Sequence, residues 1–97
     1  MKSNVRNYLR AQAHNLQPVV MVGKEGLSEA VTKSLDEALE RHELVKIKFQ
    51  ANKEDTRVIS DTLAKKTKSE VISVIGFTSI FYRKSKEELI QIPRSLL

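Results

Sequence analysis

The residues best suited to chemistry in this chain form a short loop with a glycine at each end. We call it the GKEG loop, and its members are Gly23, Lys24, Glu25 and Gly26. Glycine lets the chain turn without a Cβ clash and lets backbone approach a ligand closely. A helix is predicted to follow, and its first unpaired amides favour anions. The loop therefore indicates a phosphate site with Lys24 as a mobile cation and Glu25 pointing away, although an ordinary strand-to-helix turn would read the same.

A second candidate site is a stripe of basic side chains on the first predicted helix. Its members, spaced four residues apart, are Lys2, Arg6, Arg10 and His14. At about 100° per residue this spacing keeps them on one face, beside the apolar face. Lys46 and Lys48 share one side of a predicted strand, and Arg83 ends the last strand. Each set alone is typical of a solvated surface, whereas together they favour a polyanion partner.

Charge is unevenly distributed along the chain, which has 17 basic and 12 acidic residues. The net charge is +3 over residues 1–26, −3 over residues 27–43 and +5 over residues 44–97. The acidic face of the second predicted helix is formed by Glu29, Asp36, Glu37 and Glu40. The basic segments favour nucleic acid as a partner, and the acidic face leaves open a protein-docking module.

Other kinds of site find little support in the composition. The chain has no cysteine, which removes disulfides and thiolate metal ligands. Neither His14 nor His42 has a second ligand three or four residues away, so we expect no metal and no cofactor. No catalytic triad, Walker motif or dinucleotide motif is recognisable. We therefore expect no enzymatic activity and no small-molecule substrate.

The sequence also predicts a cytoplasmic protein without a membrane span. Residues 1–16 lack the apolar stretch of a secretory signal. The longest apolar run, residues 19–22, is far shorter than the roughly 20 residues that cross a bilayer. A chain of 97 residues is long enough for one domain and too short for two.

Apolar periodicity predicts the elements that hold these residues, in the order α-β-α-β-α-β-β of an α/β layered domain. Helices are expected over residues 3–15, 29–42 and 53–66, and strands over residues 18–22, 44–50, 70–75 and 78–83. Ser28 is expected to cap the second helix, and Asn52 with Asp55 resembles a capping box before the third. Gly76 and Phe77 form the predicted hairpin turn.

Apolar stripes on these elements define a candidate core. The predicted core residues are Val5, Leu9 and Ala13, then Val31, Leu35, Ala38 and Leu39, then Val45, Ile47 and Phe49, and then Val58, Ile59 and Leu63. The tail, residues 84–97, is charged at first and apolar later. It is expected to form either an extra edge segment of the sheet or a frayed end.

Three stretches of the chain match a known pattern in order. They are LQPVVMVGKEGLS (residues 16–28), ALERHELVKIK (residues 38–48) and GFTSIFYR (residues 76–83). These stretches resemble the signature of CRM domains, whose bacterial single-domain members are the YhbY-like proteins, and the resemblance covers about residues 3–94. It implies one domain with a mixed four-stranded sheet and three helices, similar to the C-terminal domain of bacterial translation initiation factor three.

The resemblance also implies RNA binding and association with precursors of the large ribosomal subunit. The RNA-binding residues it implies are Gly23, Lys24, Glu25 and Gly26 in the loop, with Arg6, Arg10, Lys46, Lys48 and Arg83 on the basic surface beside it. Phe77 departs from the pattern, since a basic or small polar residue is expected after the glycine. We therefore expect a monomeric protein that binds rRNA and assists ribosome assembly. The alternative is a module that docks a protein on the acidic face.

Overall fold

The computed structural model describes residues 1–51 and 53–97 and contains a four-stranded mixed sheet. Among these residues the main elements are α1 (Ser3–Ala13), β1 (Val20–Val22), α2 (Glu29–His42), β2 (Leu44–Phe49), α3 (Thr56–Thr67), β3 (Glu70–Ile75) and β4 (Thr78–Tyr82), with 3-10 turns at Lys53–Asp55 and Arg94–Leu96. The predicted order and the predicted mixed sheet are confirmed. Of the predicted capping box, Asn52 lies outside the described residues, and Asp55 ends the 3-10 turn before α3.

The strands are arranged in the order β1-β2-β4-β3, with β2 and β4 in the centre. β1 runs parallel to β2, with Met21 opposite Lys48. A parallel pair needs a long crossover connection, and α2 supplies it. The remaining pairs are antiparallel, and the β3–β4 pair is the predicted hairpin, with Ile75 opposite Thr78.

The larger part of the core lies between the sheet and the pair α2–α3. The strict alternation of β2 points Val45, Ile47 and Phe49 toward these helices, and all three are buried. On α2 the predicted stripe is confirmed, with Leu35 and Leu39 fully buried. The sheet thus uses its apolar face in the way the period-two pattern predicted.

The predicted core face of α3 is partly wrong. Val58 is 66% exposed, whereas the buried side of the helix passes through Thr56 and Ser60. Val58 lies two residues from each of them, which places it on the opposite side of the helix. Ser60 Oγ lies 2.7 Å from Ser79 Oγ in a buried hydrogen bond across the helix–sheet interface. Hydroxyl side chains therefore take buried positions that an apolar pattern cannot reveal.

A second core lies on the opposite face of the sheet, under α1. The predicted stripe of α1, which is Val5, Leu9 and Ala13, packs on residues such as Ile80. The tail, residues 84–97, adds no strand to the sheet among the described residues, so the edge-segment expectation is corrected. Instead it packs against this core through Ile90, Ile92 and Leu96, because this contact removes part of their apolar surface from water.

Glu43 fixes the start of the tail. It is fully buried between α2 and β2 with a positive φ of 64°. Its carboxylate accepts hydrogen bonds from the Ser85 N–H at 2.7 Å, the Ile90 N–H at 2.8 Å and the Ser85 hydroxyl. Burial alone would raise the pKa of the Glu43 carboxyl, but these hydrogen bonds outweigh it and hold the pKa below its ordinary value.

Replacing Glu43 with Gln should therefore destabilise the protein at neutral pH. An amide in place of the carboxylate loses charge-assisted hydrogen bonds and turns a donor toward the tail amides. We expect the free energy of unfolding, measured by urea denaturation, to fall by about 1–3 kcal/mol. The control is Glu87→Gln, which removes an exposed carboxylate from the same tail and should change stability by less than about 0.5 kcal/mol.

The stability difference between the wild-type protein and Glu43→Gln is expected to depend on pH. The folded pKa of Glu43 lies below the unfolded value of about 4.3. The contribution of the Glu43 carboxylate to folding stability is therefore complete at a pH above the unfolded pKa, and it is lost as the pH falls through the folded pKa. The stability difference between wild type and Glu43→Gln should shrink as the pH falls below about 4. A difference that stayed constant across this acid range would contradict the assignment.

Candidate nucleic-acid interface

The GKEG loop is a tight turn anchored on α3. The Gly26 N–H donates to the Gly23 carbonyl at 3.0 Å. Gly26 has a φ of +75°, and a Cβ added there would lie 3.3 Å from Ile59 Cδ1, so this position favours glycine twice over. Lys24 and Glu25 occupy the exposed corners of the turn. The loop is thus fixed at its buried end and presents its middle residues to solvent.

Glu25 lies differently from the expectation. A Cβ added at Gly23 would lie 3.2 Å from a Glu25 carboxylate oxygen. The carboxylate therefore folds back against the first residue of the loop instead of pointing away from it. The turn is short enough for its third residue to reach its first, and glycine at position 23 leaves room for this. A negative charge therefore lies beside Gly23, which disfavours an anion on that side of the turn.

Ser28 caps the N-terminus of α2 and occupies one amide of its first turn. The Ser28 hydroxyl accepts a hydrogen bond from the Val31 N–H at 3.1 Å, which confirms the predicted cap. Leu27 and Ser28 separate the GKEG loop from the helix, and Glu29 brings a negative charge into the first turn. The helix end is therefore less suited to a phosphate than the sequence suggested, and the candidate contacts lie in the loop itself.

The last residues of β2 hold the loop in place relative to the β3–β4 turn. The Gln50 N–H donates to the Val22 carbonyl at 2.9 Å, directly before the loop. The Phe49 N–H donates to the Phe77 carbonyl at 2.8 Å, inside the turn. The GKEG loop and the turn therefore flank one strand end from its two sides.

Basic side chains gather on the α1 side of the sheet, next to this end. Lys46 and Lys48 project from β2 on the face that α1 covers in part. Lys46 Nζ donates to the His14 carbonyl at 3.4 Å, at the C-terminal end of α1. A shallow groove there is lined by Arg10, His14 and Lys46. We call Arg10, His14, Lys46 and Lys48 the basic face, and it leads to the GKEG loop because Lys48 lies opposite Met21.

Arg6 belongs to the edge of the sheet and not to the basic face. Its guanidinium donates to the Val71 carbonyl and, at 3.4 Å, to the Ile72 carbonyl. It also lies 4.0 Å from the Glu70 carboxylate. The register of β3 shifts between Val71 and Ser73, and Arg6 binds carbonyls at this irregularity. Unpaired groups of an edge strand need such protection.

Arg83, which the sequence also assigned to the RNA-binding surface, is held by acidic and carbonyl groups far from the loop. It donates to the Asp36 carboxylate at 2.7 Å and to the Thr67 carbonyl at 2.8 Å. Its side chain is only 18% exposed. Arg83 follows β4 beside the start of β2, so the six residues of β2, about 20 Å, separate it from the loop end. The structure places Arg83 in a brace between α2 and α3.

The acidic face of α2 is affected by the same brace. Asp36 hydrogen-bonds to Arg83, and the Glu40 carboxylate lies 3.6 Å from it. Two of the four acidic residues therefore serve the fold, and the surface available to a basic partner is smaller than the sequence indicated.

Two residues that the sequence did not assign to a site lie at the loop end of the sheet. Phe77 is 40% exposed in the β3–β4 turn. Lys53 Nζ lies 6.0 Å from the centre of the Phe77 ring. The sequence feature that could have indicated the exposure of Phe77 is the glycine before it, because Gly76 and Phe77 form the predicted hairpin turn and turn residues lie at the surface.

Over residues 1–51 and 53–97, no cluster of three or more His, Asp or Glu side chains has the arrangement needed to hold a metal ion. None of the helices formed by these residues has the length and apolar character that spanning a bilayer requires.

Fold, loop and basic face together define a small α/β domain of the CRM type. Residues 1–83 match the family model described as the CRS1/YhbY (CRM) domain, and the chain belongs to this family. The resemblance of the three signature stretches is thereby confirmed.

Relatives of similar length come from several bacteria. The chain is 37% identical over 95 residues to a Haemophilus influenzae protein named RNA-binding protein, covering 97% of this chain and 96% of the relative. It is 37% identical over 90 residues to Probable RNA-binding protein YqeI of Bacillus subtilis, covering 91% and 94%. The solution structure of a Staphylococcus aureus protein proposed to bind RNA is 38% identical with a TM-score of 0.83, covering 96% and 100%.

The structural assignment of Arg83 predicts a loss of stability when the guanidinium is removed. Arg83→Met keeps the apolar stem and removes the bonds to Asp36 and Thr67, so we expect a loss of about 1–2 kcal/mol in urea denaturation. Arg10→Met removes an exposed arginine and serves as the control, with a change below about 0.5 kcal/mol. Equal stability of the two variants would show that Arg83 does not brace the fold.

Proposed function

We propose that this protein binds RNA in the cytoplasm, as a monomer and without catalysis, through the GKEG loop and the basic face. The observation that carries the proposal is the start of the loop two residues after Met21, which is paired with Lys48 of the basic face. It is supported by the family to which the chain belongs and by the names of its bacterial relatives.

The chemistry of this surface suits a phosphate backbone. Lys48, Lys46 and Arg10 lie on the α1 side of the sheet, and Lys24 is exposed in the loop that follows β1, the strand paired with β2. Lysine is a compact point charge on a flexible stem, which neutralises phosphate without demanding one geometry. Such contacts fix the position of a polynucleotide and do not read its sequence. The surface is therefore expected to bind with strong dependence on salt.

The finer part of the proposal is that the RNA is rRNA in precursors of the large ribosomal subunit, whose assembly the protein assists. Its support is the resemblance of the signature stretches to the YhbY-like proteins. Arg6 and Arg83 are not included among the proposed contacts, because both guanidinium groups are bound by the fold.

Removing the charge of Lys24 should weaken binding without changing base preference. In Lys24→Ala we expect lower affinity for RNAs of different sequence and a fall of about 1 in the slope of log affinity against log salt. The measurement is a fluorescence-anisotropy titration at several salt concentrations. Lys86→Ala removes an exposed lysine from the tail and should leave both quantities nearly unchanged. Equal behaviour of the two variants would remove Lys24 from the interface.

Sedimentation and crosslinking experiments in cells test the proposal that the RNA is rRNA of the large subunit. We expect the protein to sediment with large-subunit precursors in sucrose gradients and to crosslink mainly to rRNA of that subunit. Lys24→Ala should reduce both signals. Recovery of mostly mRNA or tRNA would contradict the assignment.

The same experiment separates RNA binding from docking on the acidic face. Asp36 and Glu40 pair with Arg83, so their reversal would also disturb the fold, whereas no such pair involves Glu37 among the described residues. We expect Glu37→Lys to retain both RNA affinity and association with the particle. Loss of the particle with intact RNA affinity would favour the docking alternative.

A further inference from the structure

Phe77 is an aromatic side chain for which the fold provides no core position. It lies in the β3–β4 turn, is 40% exposed and follows Gly76, which has a φ of +58°. A Cβ added at Gly76 would meet nothing within 4 Å, so the turn stands open to solvent. Ile75, at the end of β3, is 68% exposed. The chain thus keeps apolar surface in solvent at one end of the sheet.

The position of this ring is tied to that of the GKEG loop. The Phe49 N–H binds the Phe77 carbonyl, and the next amide, that of Gln50, binds the Val22 carbonyl. The two features are therefore separated by about two strand spacings, roughly 10 Å. A polynucleotide whose backbone crosses the loop can therefore bring a nearby base to the ring.

The charge around the ring also suits a polyanion. Lys53 Nζ lies 6.0 Å from the ring centre, at the weak end of a cation–π contact. Lys48 is paired with Thr78 at the base of the turn. An exposed aromatic ring with one lysine near it and another on the neighbouring strand suits single-stranded nucleic acid, where the ring stacks a base and the cations follow the backbone.

We propose that Phe77 stacks an unpaired RNA base while the GKEG loop and Lys48 hold the adjacent backbone, so that the protein prefers single-stranded segments over duplex. This inference rests on the proposed RNA binding and adds the kind of RNA that the surface takes. In a duplex the bases are already stacked within the helix, and a ring at the tip of a turn has no exposed base face to cover.

Affinity measurements with two RNAs test this preference. The probes are an oligoadenylate and a mixed-sequence RNA duplex of the same length. Phe77→Leu keeps an apolar side chain and removes the ring, and we expect about 5- to 100-fold weaker binding of the oligoadenylate. Duplex binding and the salt slope should be unchanged, because no charge is lost. Phe77→Tyr, which keeps a ring, should bind the oligoadenylate nearly as wild type does.

A spectroscopic readout reports the stacking directly. The chain has no tryptophan, so Phe77→Trp carries a single tryptophan, which lies at the proposed contact. Its emission should be quenched when oligoadenylate binds and should change little with duplex. The control is Leu89→Trp, because the Leu89 side chain is 51% exposed in the wild-type protein. It lies beside Glu43 at the opposite end of β2 and should respond to neither RNA.

The outcomes separate this inference from the function on which it rests. Wild-type protein that bound neither RNA would overturn the proposed function and the stacking role together. Binding that was intact in Phe77→Leu, or a Phe77→Trp signal unmoved by bound oligoadenylate, would overturn the stacking role alone. Equal loss of single-stranded and duplex binding in Phe77→Leu would also overturn it, since the ring would then support the surface without contacting a base.

Discussion

The hydrogen bonding of β2 on both sides is the constraint on which the rest of the structure depends. Its parallel pairing with β1 sets the start of the GKEG loop, and its antiparallel pairing with β4 sets the hairpin turn. The two amides at its C-terminal end then bind carbonyls on opposite sides. Because these are backbone bonds, the arrangement does not depend on the side chains of Lys24, Glu25 and Phe77, although Gly26 and Gly76 have positive φ values that favour glycine. The fold can therefore keep its geometry while the exposed residues vary.

The cations of the chain divide between the fold and the surface. Arg6 and Arg83 each bind two or more backbone carbonyl or carboxylate oxygens. The planar guanidinium presents several donors in a fixed fork, which suits such positions. The proposed contacts on β2 and in the loop are lysines, whose single charged group makes fewer geometric demands. A positive net charge therefore overstates the positive surface available to a partner.

The sequence was sufficient for the element order, the Ser28 cap and most of the core, because apolar periodicity reports which face of an element is buried. It failed at Val58, since Thr56 and Ser60 are buried through hydrogen bonds and do not read as apolar. It also failed at the tail, which Glu43 holds through contacts more than forty residues apart. For the site, spacing placed Lys46 and Lys48 on one side of a strand. It could not show that Arg83 meets Asp36, because that contact exists only after α2, α3 and β4 have packed.

The uneven cover of the sheet connects this architecture to binding. On one face α2 and α3 bury a continuous core, whereas α1, with 11 residues and a length of about 16 Å, covers only part of the other face. The part nearest the GKEG loop keeps Met21 and Ile75 exposed beside Lys48. A longer first helix would bury this apolar surface and would also remove the lysine from solvent. Apolar and cationic side chains in alternation fit the bases and the phosphates of one strand, so the short helix is consistent with a surface kept open for a polynucleotide.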